Sequence, residues 1–189
     1  MKKTIIILTL IILILLVATG CNNIDLDNIS ESTFNTSYID TTEYKVTRVV
    51  DGDTLVVKIN DEETKVRLIG IDTPESVHSD ESKNCSFGKT ASDYTKNLLS
   101  DESVTLEYDV EQYDTYGRLL AYVYLDDNMI NYDLVLNGYA VAKEYPPNVK
   151  YADEFTEAQI EAEKSKSGMW SDNVSNSECN LKDQYFINY

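Results

Sequence analysis

Three short runs rich in β-branched residues follow one another between residues 45 and 71, and they constrain the fold of this chain more than any other feature. Residues 45–50 and 54–59 are separated by Asp51-Gly52-Asp53, a turn sequence typical of β-hairpins. A third run, at residues 64–71, follows a second turn at Asn60-Asp61-Glu62. The pattern therefore predicts three successive strands joined by tight turns.

Two further strands and three helices are predicted downstream. Apolar and polar residues alternate over residues 104–110, as in a half-buried strand, and residues 119–125 form a fifth strand. Apolar residues at helical spacing predict helices over residues 87–98 and 151–162, and a shorter helix is expected at residues 131–137. We therefore predict an α+β fold, a five-stranded OB-type β-barrel with about three helices at its connections.

The first 20 residues have the features of an export signal. Lys2 and Lys3 precede an almost unbroken apolar run at residues 5–17, which is short for a membrane span and suits a signal peptide. Ala18-Thr19-Gly20-Cys21 then resembles the site at which bacterial lipoproteins are cleaved and lipidated. We expect export and a lipid on Cys21 that anchors the protein to the outer face of a bacterial cell membrane, with some of it released. Ordinary cleavage without a lipid, or an uncleaved anchor, is the alternative.

Composition divides the rest of the chain into three parts. Residues 21–43 are polar and lack periodicity, which predicts a disordered tether. Residues 44–172 carry the predicted elements and form the folded domain, and residues 173–189 are a C-terminal extension. Cys85 and Cys179 are left once Cys21 is assigned to lipid. In an oxidising compartment we expect them to form a disulfide that staples the extension, and two free thiols are the alternative.

The charge balance weighs against tight, non-specific binding of nucleic acid. The chain has 16 basic and 33 acidic residues and a formal net charge of −17, whereas such binding comes mainly from Lys and Arg side chains that neutralise phosphates. The single histidine, His78, excludes nuclease classes that need two histidines, and also zinc sites rich in histidine. Any chemistry on phosphate must therefore come from a few local groups.

Arginine is rare in this chain, and its placement is informative. Arg48, Arg67 and Arg118 are the three arginines, beside 13 lysines, and the last two lie in segments rich in carboxylates. Guanidinium binds phosphate oxygens through a planar, two-pronged contact that lysine cannot make. Each arginine could equally pair with a neighbouring carboxylate, so residue type alone leaves both roles open.

Three carboxylates in the same segments indicate a cation site. Asp53 lies at the first turn, and Asp72 and Glu75 follow the third strand. Like charges in one small site raise one another's pKa unless a cation lies between them, and calcium takes oxygen ligands of this kind. The alternative is that the two aspartates form turns and the glutamate is solvated.

Three motifs occur in a specific order along the chain. They are D-G-D-T at Asp51 to Thr54, R-x-x-x-x-D-T-P-E at Arg67 to Glu75, and Y-G-R-x-L-A-Y at Tyr116 to Tyr122. Together they resemble the thermonuclease, or staphylococcal-nuclease-like, family, and the likeness extends over residues 44–172. The resemblance implies a calcium-dependent endonuclease that hydrolyses phosphodiester bonds of DNA, RNA or both and leaves 3′-phosphates. Nucleic acid is thus the expected partner, and we expect a monomer.

The resemblance implies a Ca²⁺ site and a group that prepares the attacking water. Asp53 and Asp72 correspond to side-chain ligands of Ca²⁺, and Thr73 corresponds to a ligand through its backbone carbonyl. Glu75 corresponds to the group that orients or activates water. A metal-bound site of this kind would supply both the nucleophile and compensation for charge on the phosphate.

The resemblance also implies how the substrate is held. Arg67 and Arg118 correspond to the pair that grips the scissile phosphate and stabilises its transition-state charge. Tyr116 and Tyr145 correspond to aromatic residues that line the nucleotide site. The chain departs from the family around Lys143, where the match needs a one-residue gap and a second substrate-site tyrosine is missing. We therefore expect weak binding of polynucleotides.

Two functions without catalysis remain as alternatives. One is a non-catalytic OB-type surface lipoprotein that binds nucleic acid, and the other is a surface lipoprotein that binds a small ligand or a metal. Degenerate relatives of this fold would lack the catalytic set, whereas all of its members are present here: Asp53, Arg67, Asp72, Glu75 and Arg118. Calcium-dependent cleavage of DNA would separate the enzyme from both alternatives.

Overall fold

A computed structural model of the protein describes residues 38–74, 86–172 and 174. The strands in these parts of the chain are β1 (Tyr38–Asp51), β2 (Thr54–Ile59), β3 (Glu62–Leu68), β4 (Ile71–Asp72), β5 (Ser103–Tyr108), β6 (Leu119–Leu125), β7 (Asn128–Met129) and β8 (Val141–Ala142). The helices are α1 (Ser86–Leu99), α2 (Ile130–Leu136) and α3 (Ala152–Ser165), and a single 3₁₀ turn follows at Gly168–Trp170.

Five of these strands form a closed barrel, which confirms the predicted α+β, OB-type fold. They pair in the order β3-β2-β1-β5-β6 through antiparallel neighbours. A parallel pairing of β3 with β6 then closes the ring, with Val66 opposite Leu119 and Leu68 opposite Ala121. Because closure joins the two outer strands, the sheet has no long free edge at this seam.

Both predicted hairpin turns are present. Asp51 pairs with Thr54, so Gly52 and Asp53 are the turn residues between β1 and β2. The backbone N–H of Leu68, at the end of β3, donates to the backbone carbonyl of Asp53 at 2.9 Å. The first turn therefore places Asp53 beside the end of β3.

A sharp bend after β3 brings the chain back to the barrel. The single strand predicted at residues 64–71 is instead β3 and β4, separated at Gly70. Gly70 has φ +78°, and a Cβ atom there would lie 2.4 Å from Cε2 of Phe155 in α3, so only glycine fits. The bend explains why the third strand ends earlier than predicted, and it returns Asp72 to within contact of Arg67 on β3.

One apolar core fills the barrel and continues beneath α2 and α3. Leu55 and Leu68 of the barrel are fully buried, as is Leu134 of α2, and Phe155 of α3 is nearly so. Helix α1 is tied to the first turn, because the hydroxyl of Thr95 donates to the backbone carbonyl of Gly52 at 2.8 Å. The core and α1 together hold the turn that carries Asp53.

The N-terminal boundary of the domain lies before the predicted residue 44. β1 begins at Tyr38, and Tyr38, Ile39 and Asp40 pair with Tyr108, Glu107 and Leu106 of β5. The tether predicted over residues 21–43 is therefore wrong for residues 38–43. These residues do not alternate between apolar and polar side chains as residues 104–110 do, and residues 38–40 pair through the main chain with β5.

Several sequence predictions lie outside the described residues. These are the export signal, the rest of the tether, Cys21, Glu75, His78, Cys85 and Cys179, and most of the C-terminal extension. The predicted disulfide and lipidation site therefore stay predictions. None of the helices in the described part of the chain is long and apolar enough to cross a membrane.

Candidate active site

A cleft of about 660 Å³ opens on one side of the barrel. Its walls come from the β1–β2 turn, the end of β3, β4, the loop that enters β6 and the loop that precedes α3. Six of the predicted site residues line it: Asp53, Arg67, Asp72, Tyr116, Arg118 and Tyr145. Residues separated by as many as 92 positions in the printed sequence are thus brought to one surface.

Asp53 is a buried carboxylate held by three hydrogen bonds. Its Oδ2 atom accepts from the backbone N–H of Thr73 at 3.0 Å and from the Thr73 hydroxyl at 2.8 Å. Its Oδ1 atom accepts from the hydroxyl of Thr54 at 3.1 Å. Gly52 permits this approach, because a Cβ atom there would lie 2.9 Å from Oγ1 and Cγ2 of Thr73. The orientation of Asp53 therefore depends on its neighbours.

Arg67 joins the two predicted metal ligands. Its Nη2 atom lies 3.2 Å from Oδ2 of Asp53 and 3.1 Å from Oδ1 of Asp72. The same guanidinium donates to the backbone carbonyls of Leu68 at 2.5 Å and Ile71 at 3.1 Å. Arg67 is only 9% exposed, so this network holds its guanidinium in one position at the floor of the cleft.

Arg118 is held in a different way, by a carboxylate of its own loop. Its Nε atom donates to Oδ2 of Asp114 at 2.6 Å, and Asp114 Oδ1 accepts from the backbone N–H groups of Tyr116 and Arg118, both at 2.9 Å. Burial alone would raise the pKa of Asp114, but the hydrogen bonds and charge of Arg118 outweigh it, so the pKa of Asp114 is lowered. Asp114 stays ionised and orients Arg118. Both arginines thus pair with carboxylates and also line the cleft.

Lys143 is a cation that sequence reasoning did not place in the site. Its Nζ atom lies 2.9 Å from Oδ2 of Asp72 and 5.3 Å from the centre of the Tyr145 ring. Burial alone would lower the pKa of Lys143, but the hydrogen bond and charge of Asp72 outweigh it and raise the pKa. The signal in the sequence was the one-residue gap that the match to the family needs around Lys143.

The two predicted substrate tyrosines both lie against arginines. The Tyr116 ring lies 5.5 Å from Cζ of Arg118, and the Tyr145 ring lies 5.9 Å from Cζ of Arg67. Tyr116 is 84% exposed and Tyr145 is 39% exposed. Each ring keeps a face that solvent or a ligand can reach, and each is oriented by a cation.

Asn148 fastens the loop that carries Tyr145, and sequence reasoning did not identify it. Its Oδ1 atom accepts from the backbone N–H of Glu111 at 2.8 Å, and its Nδ2 atom donates to the Glu111 carbonyl at 2.9 Å. Asn148 is 2% exposed. Because one side chain satisfies both backbone groups of Glu111, it ties two walls of the cleft together.

The described residues provide a donor set that fits calcium. Asp53 and Asp72 are adjacent, since both carboxylates contact the same Nη2 atom of Arg67. Among residues 38–74 and 86–172, no group of three or more His, Cys, Asp or Glu side chains is arranged around one metal position. Two carboxylates, with backbone carbonyls and water, form the hard oxygen set that Ca²⁺ prefers. The chemistry of these donors therefore agrees with the predicted cofactor.

Glu75 cannot be compared with this geometry, because it lies outside the described residues. It is separated from Thr73 by Pro74, which is the last described residue before a gap. The predicted role of Glu75 in preparing water stays a prediction.

Comparisons with known proteins match this chain to a family of nucleases. Residues 65–172 match the family model described as staphylococcal nuclease homologue. The chain is 46% identical over 128 residues to a thermonuclease of Staphylococcus hyicus, with 68% of this chain and 75% of the relative covered. It is 47% identical over 127 residues to a thermonuclease of Staphylococcus intermedius, with 67% and 75% covered. Endonuclease YncB of Bacillus subtilis is 39% identical over 126 residues, with 66% and 59% covered.

Proposed function

Because the chain belongs to the staphylococcal nuclease family, we propose that its cleft is the active site of a calcium-dependent endonuclease. It hydrolyses phosphodiester bonds of DNA, RNA or both and leaves 3′-phosphates. One observation carries the proposal: the buried Arg67 is adjacent to Asp53 and Asp72 in the same cleft that Arg118 lines. A phosphate bound in this cleft would contact the guanidinium groups of Arg67 and Arg118 and lie near the carboxylates that would hold a metal.

The two arginines bind and stabilise the phosphate. Arg67 is held by carboxylates and by backbone carbonyls, so little reorganisation is needed when charge develops on the phosphate oxygens. Arg118 is oriented through Nε by Asp114, and its side chain is 31% exposed. Its guanidinium is thus positioned by the protein and accessible to a substrate.

Asp53, Asp72 and the backbone carbonyl of Thr73 are the groups that would hold Ca²⁺. When bound, the ion supplies Lewis acidity to the phosphate and favours ionisation of water. The part of the protein itself is to keep Asp53 fixed through Thr73 and to hold Asp72 in contact with Arg67 and Lys143. Glu75 orients the attacking water and accepts its proton.

Tyr116 and Tyr145 contact the nucleotide. Each ring lies against a phosphate-binding arginine, so a base or sugar that packs on the ring leaves its phosphate near the guanidinium. Family membership and the exposure of both rings support this assignment.

A location outside the cell is part of the proposal. The export signal and Cys21 support a lipoprotein on the outer face of a bacterial cell membrane, and the cysteine pair Cys85 and Cys179 suits an oxidising compartment. The domain acts there as a monomer. Intact-mass measurement of the protein from the membrane fraction tests the anchor: a mass that lacks residues 1–20 and includes a diacylglyceryl group supports it, and an unmodified mass contradicts it.

The activity is tested on the full chain, solubilised with detergent. The protein is incubated with single-stranded DNA, duplex DNA and RNA, each with Ca²⁺ or with a chelator. We expect cleavage only with Ca²⁺, with products that carry 3′-phosphates. Glu75→Gln and Arg118→Ala should each lower turnover by at least about tenfold.

Arg48→Ala is the matched control for Arg118→Ala. Arg48 lies on β1, is exposed and does not line the cleft, so its replacement should leave turnover unchanged. Binding of nucleic acid without cleavage by the wild-type protein would contradict the proposal and support the non-catalytic alternative.

A further inference from the structure

Asp72 is paired with two cations, one at each oxygen of its carboxylate. Nη2 of Arg67 lies 3.1 Å from Oδ1, and Nζ of Lys143 lies 2.9 Å from Oδ2. Both oxygens of this predicted metal ligand are therefore already in contact with cations of the protein. A metal ion that binds Asp72 competes with them, and the structure holds the two cations very differently.

Arg67 is held too firmly to be the cation that leaves. Its guanidinium also lies 3.2 Å from Oδ2 of Asp53 and donates to the backbone carbonyls of Leu68 and Ile71. Arg67 is 9% exposed, so its departure would take hydrogen bonds away from buried acceptors, which is costly. Arg67 therefore stays in place when Asp72 binds a metal.

Lys143 is attached to the site by a single ion pair at the surface. Within residues 38–74 and 86–172, Asp72 is its only ion-pair partner, and the Lys143 side chain is 47% exposed. An ion pair this exposed contributes little to stability, and the lysine side chain is long and flexible. Lys143 is thus the cation that a metal ion displaces from Asp72.

The backbone of Lys143 is fixed even though its side chain can move. Ala142 of β8 pairs with Ile71 of β4, and the N–H of Lys143 donates to the backbone carbonyl of Gly70 at 3.0 Å. Nζ can therefore leave the carboxylate, but it stays within the length of one side chain of the cleft.

Open space adjoins Lys143. It lines a second cavity of about 350 Å³, whereas its partner Asp72 lines the cleft. Asn148 lines both cavities, which are therefore neighbours. A strand that extends from the cleft in this direction passes Lys143.

The cleft offers few cations to a strand of nucleic acid. The charged residues that line it are five acids, Asp51, Asp53, Asp72, Glu111 and Asp114, and three bases, Lys65, Arg67 and Arg118. Each further cation within reach of a phosphate therefore matters for affinity. Arg67 and Lys143 bind the same carboxylate, so they are close enough to contact successive phosphates of one strand.

We propose that Lys143 is a substrate-binding residue that becomes available when Asp72 binds Ca²⁺: its side chain then turns from this carboxylate to the phosphate next to the scissile one. This inference rests on the proposed function, because it takes Asp72 to hold Ca²⁺ and Arg67 to bind the scissile phosphate. Without the metal, Lys143 is paired with Asp72. Calcium and nucleic acid therefore strengthen each other's binding through Lys143.

Binding is measured by fluorescence anisotropy on the full chain in detergent, with saturating Ca²⁺ or with a chelator, at a series of salt concentrations. The probe is a short single-stranded DNA with phosphorothioate linkages, which keep the charge and slow cleavage, and a gel verifies that it stays intact. The variants are Lys143→Met and Lys143→Arg. Lys164→Met is the matched control, because Lys164 is exposed on α3 and lines neither cavity.

With Ca²⁺, we expect Lys143→Met to weaken binding by about two- to fivefold. The slope of log affinity against log salt concentration should become shallower by about 0.7, the value for one phosphate contact on a single strand. With the chelator, the affinity should change less and the slope should stay that of the wild type. Lys143→Arg keeps the charge and should restore the slope, and Lys164→Met should bind as the wild type does.

A wild-type slope for Lys143→Met in the presence of Ca²⁺ would overturn the proposal. An equal reduction of the slope with Ca²⁺ and with the chelator would also overturn it, because Lys143 would then contact the strand without release by the metal.

A parallel cleavage assay on unmodified DNA with Ca²⁺ separates this inference from the proposed function. If the wild-type protein cleaves and Lys143→Met keeps the wild-type slope, the release of Lys143 is wrong and the nuclease stands. If the wild-type protein cleaves nothing and Lys143→Met loses slope only with Ca²⁺, the release is supported and the proposed catalysis is wrong.

Discussion

Thr73 donates two hydrogen bonds to the same oxygen of Asp53: its backbone N–H at 3.0 Å and its hydroxyl at 2.8 Å from Oδ2. The two residues are 20 positions apart in the chain and belong to different connections of the barrel. Their contact joins the β1–β2 turn to the segment after β4. It therefore determines where the carboxylate of Asp53 lies relative to Asp72.

Thr73→Val tests the hydroxyl alone, because valine keeps the shape of the side chain and the backbone donor. We expect the free energy of unfolding to fall by about 1–2 kcal/mol, and calcium affinity to fall because Asp53 is less well oriented. Calorimetric titration with Ca²⁺ and urea unfolding measure the two effects. Thr73→Ser restores a hydroxyl and should recover both, and a Thr73→Val protein with wild-type calcium affinity would contradict the role.

The two arginines of the site should differ in their effect on stability. Arg67→Ala removes a buried cation from Asp53 and Asp72, so we expect a loss of about 3–5 kcal/mol in the free energy of unfolding. Arg118 is more exposed and pairs within one loop, so Arg118→Ala should cost less than about 1 kcal/mol.

Both variants should lower turnover by at least about tenfold, since each removes a group that stabilises the phosphate. Urea unfolding and initial rates on the same preparations separate stability from catalysis. A large loss of stability in Arg118→Ala would show that its main role is in the fold.

Lys143 competes with a metal ion for Asp72, because its Nζ atom forms an ion pair with Oδ2 of that carboxylate at 2.9 Å. We expect Lys143→Met to tighten calcium binding by about two- to fivefold, the range that a partly exposed ion pair can account for. Calorimetric titration of the protein with Ca²⁺, without substrate, gives this value. Lys164→Met removes an exposed lysine from α3 and controls for net charge, so an equal change in both variants would contradict a local effect.

Glu107 should make the fold sensitive to acid. Burial alone would raise the pKa of Glu107, but hydrogen bonds from Lys150, Tyr124 and Tyr151 outweigh it, so the pKa is lowered. A carboxylate whose pKa is lower in the folded state stabilises the protein above its ordinary pKa of about 4.3. That stability is lost as the pH falls through the lowered value.

We therefore expect Glu107→Gln to be less stable than the wild type by about 1–3 kcal/mol at neutral pH. The difference should shrink once the pH falls below the ordinary range of a glutamate. Urea unfolding at a series of pH values measures this, with Glu102→Gln, at an exposed position next to the same strand, as the control. A difference between wild type and Glu107→Gln that does not change with pH would contradict the assignment.

Local signals in the sequence predicted most of the barrel. The β1–β2 turn at Gly52 and Asp53 follows from residue preferences that act over a few positions. The strand at residues 38–43 was missed for the opposite reason: its conformation comes from pairing with β5, more than 60 positions away in the chain. Long-range main-chain pairing leaves no periodic pattern in this short segment.

Some residues of the candidate site could likewise be identified from the sequence, and others only from the structure. The motifs identified Asp53, Arg67, Asp72 and Arg118, and the structure brings all of them to one cleft. Tyr113 belongs to no motif, and its position at the edge of the cleft is visible only once the loop before β6 is closed.

The sequence by itself therefore determined the family, the type of fold and the chemical type of each motif residue. Those properties depend on side-chain identity and on spacing along the chain. Only the tertiary structure decided which charged groups are in contact. Arg67 contacts both Asp53 and Asp72, and Lys143 contacts Oδ2 of Asp72. Contacts of this kind depend on distances across the closed barrel, where Coulomb energies change steeply over a few ångströms, and spacing along the chain does not determine those distances.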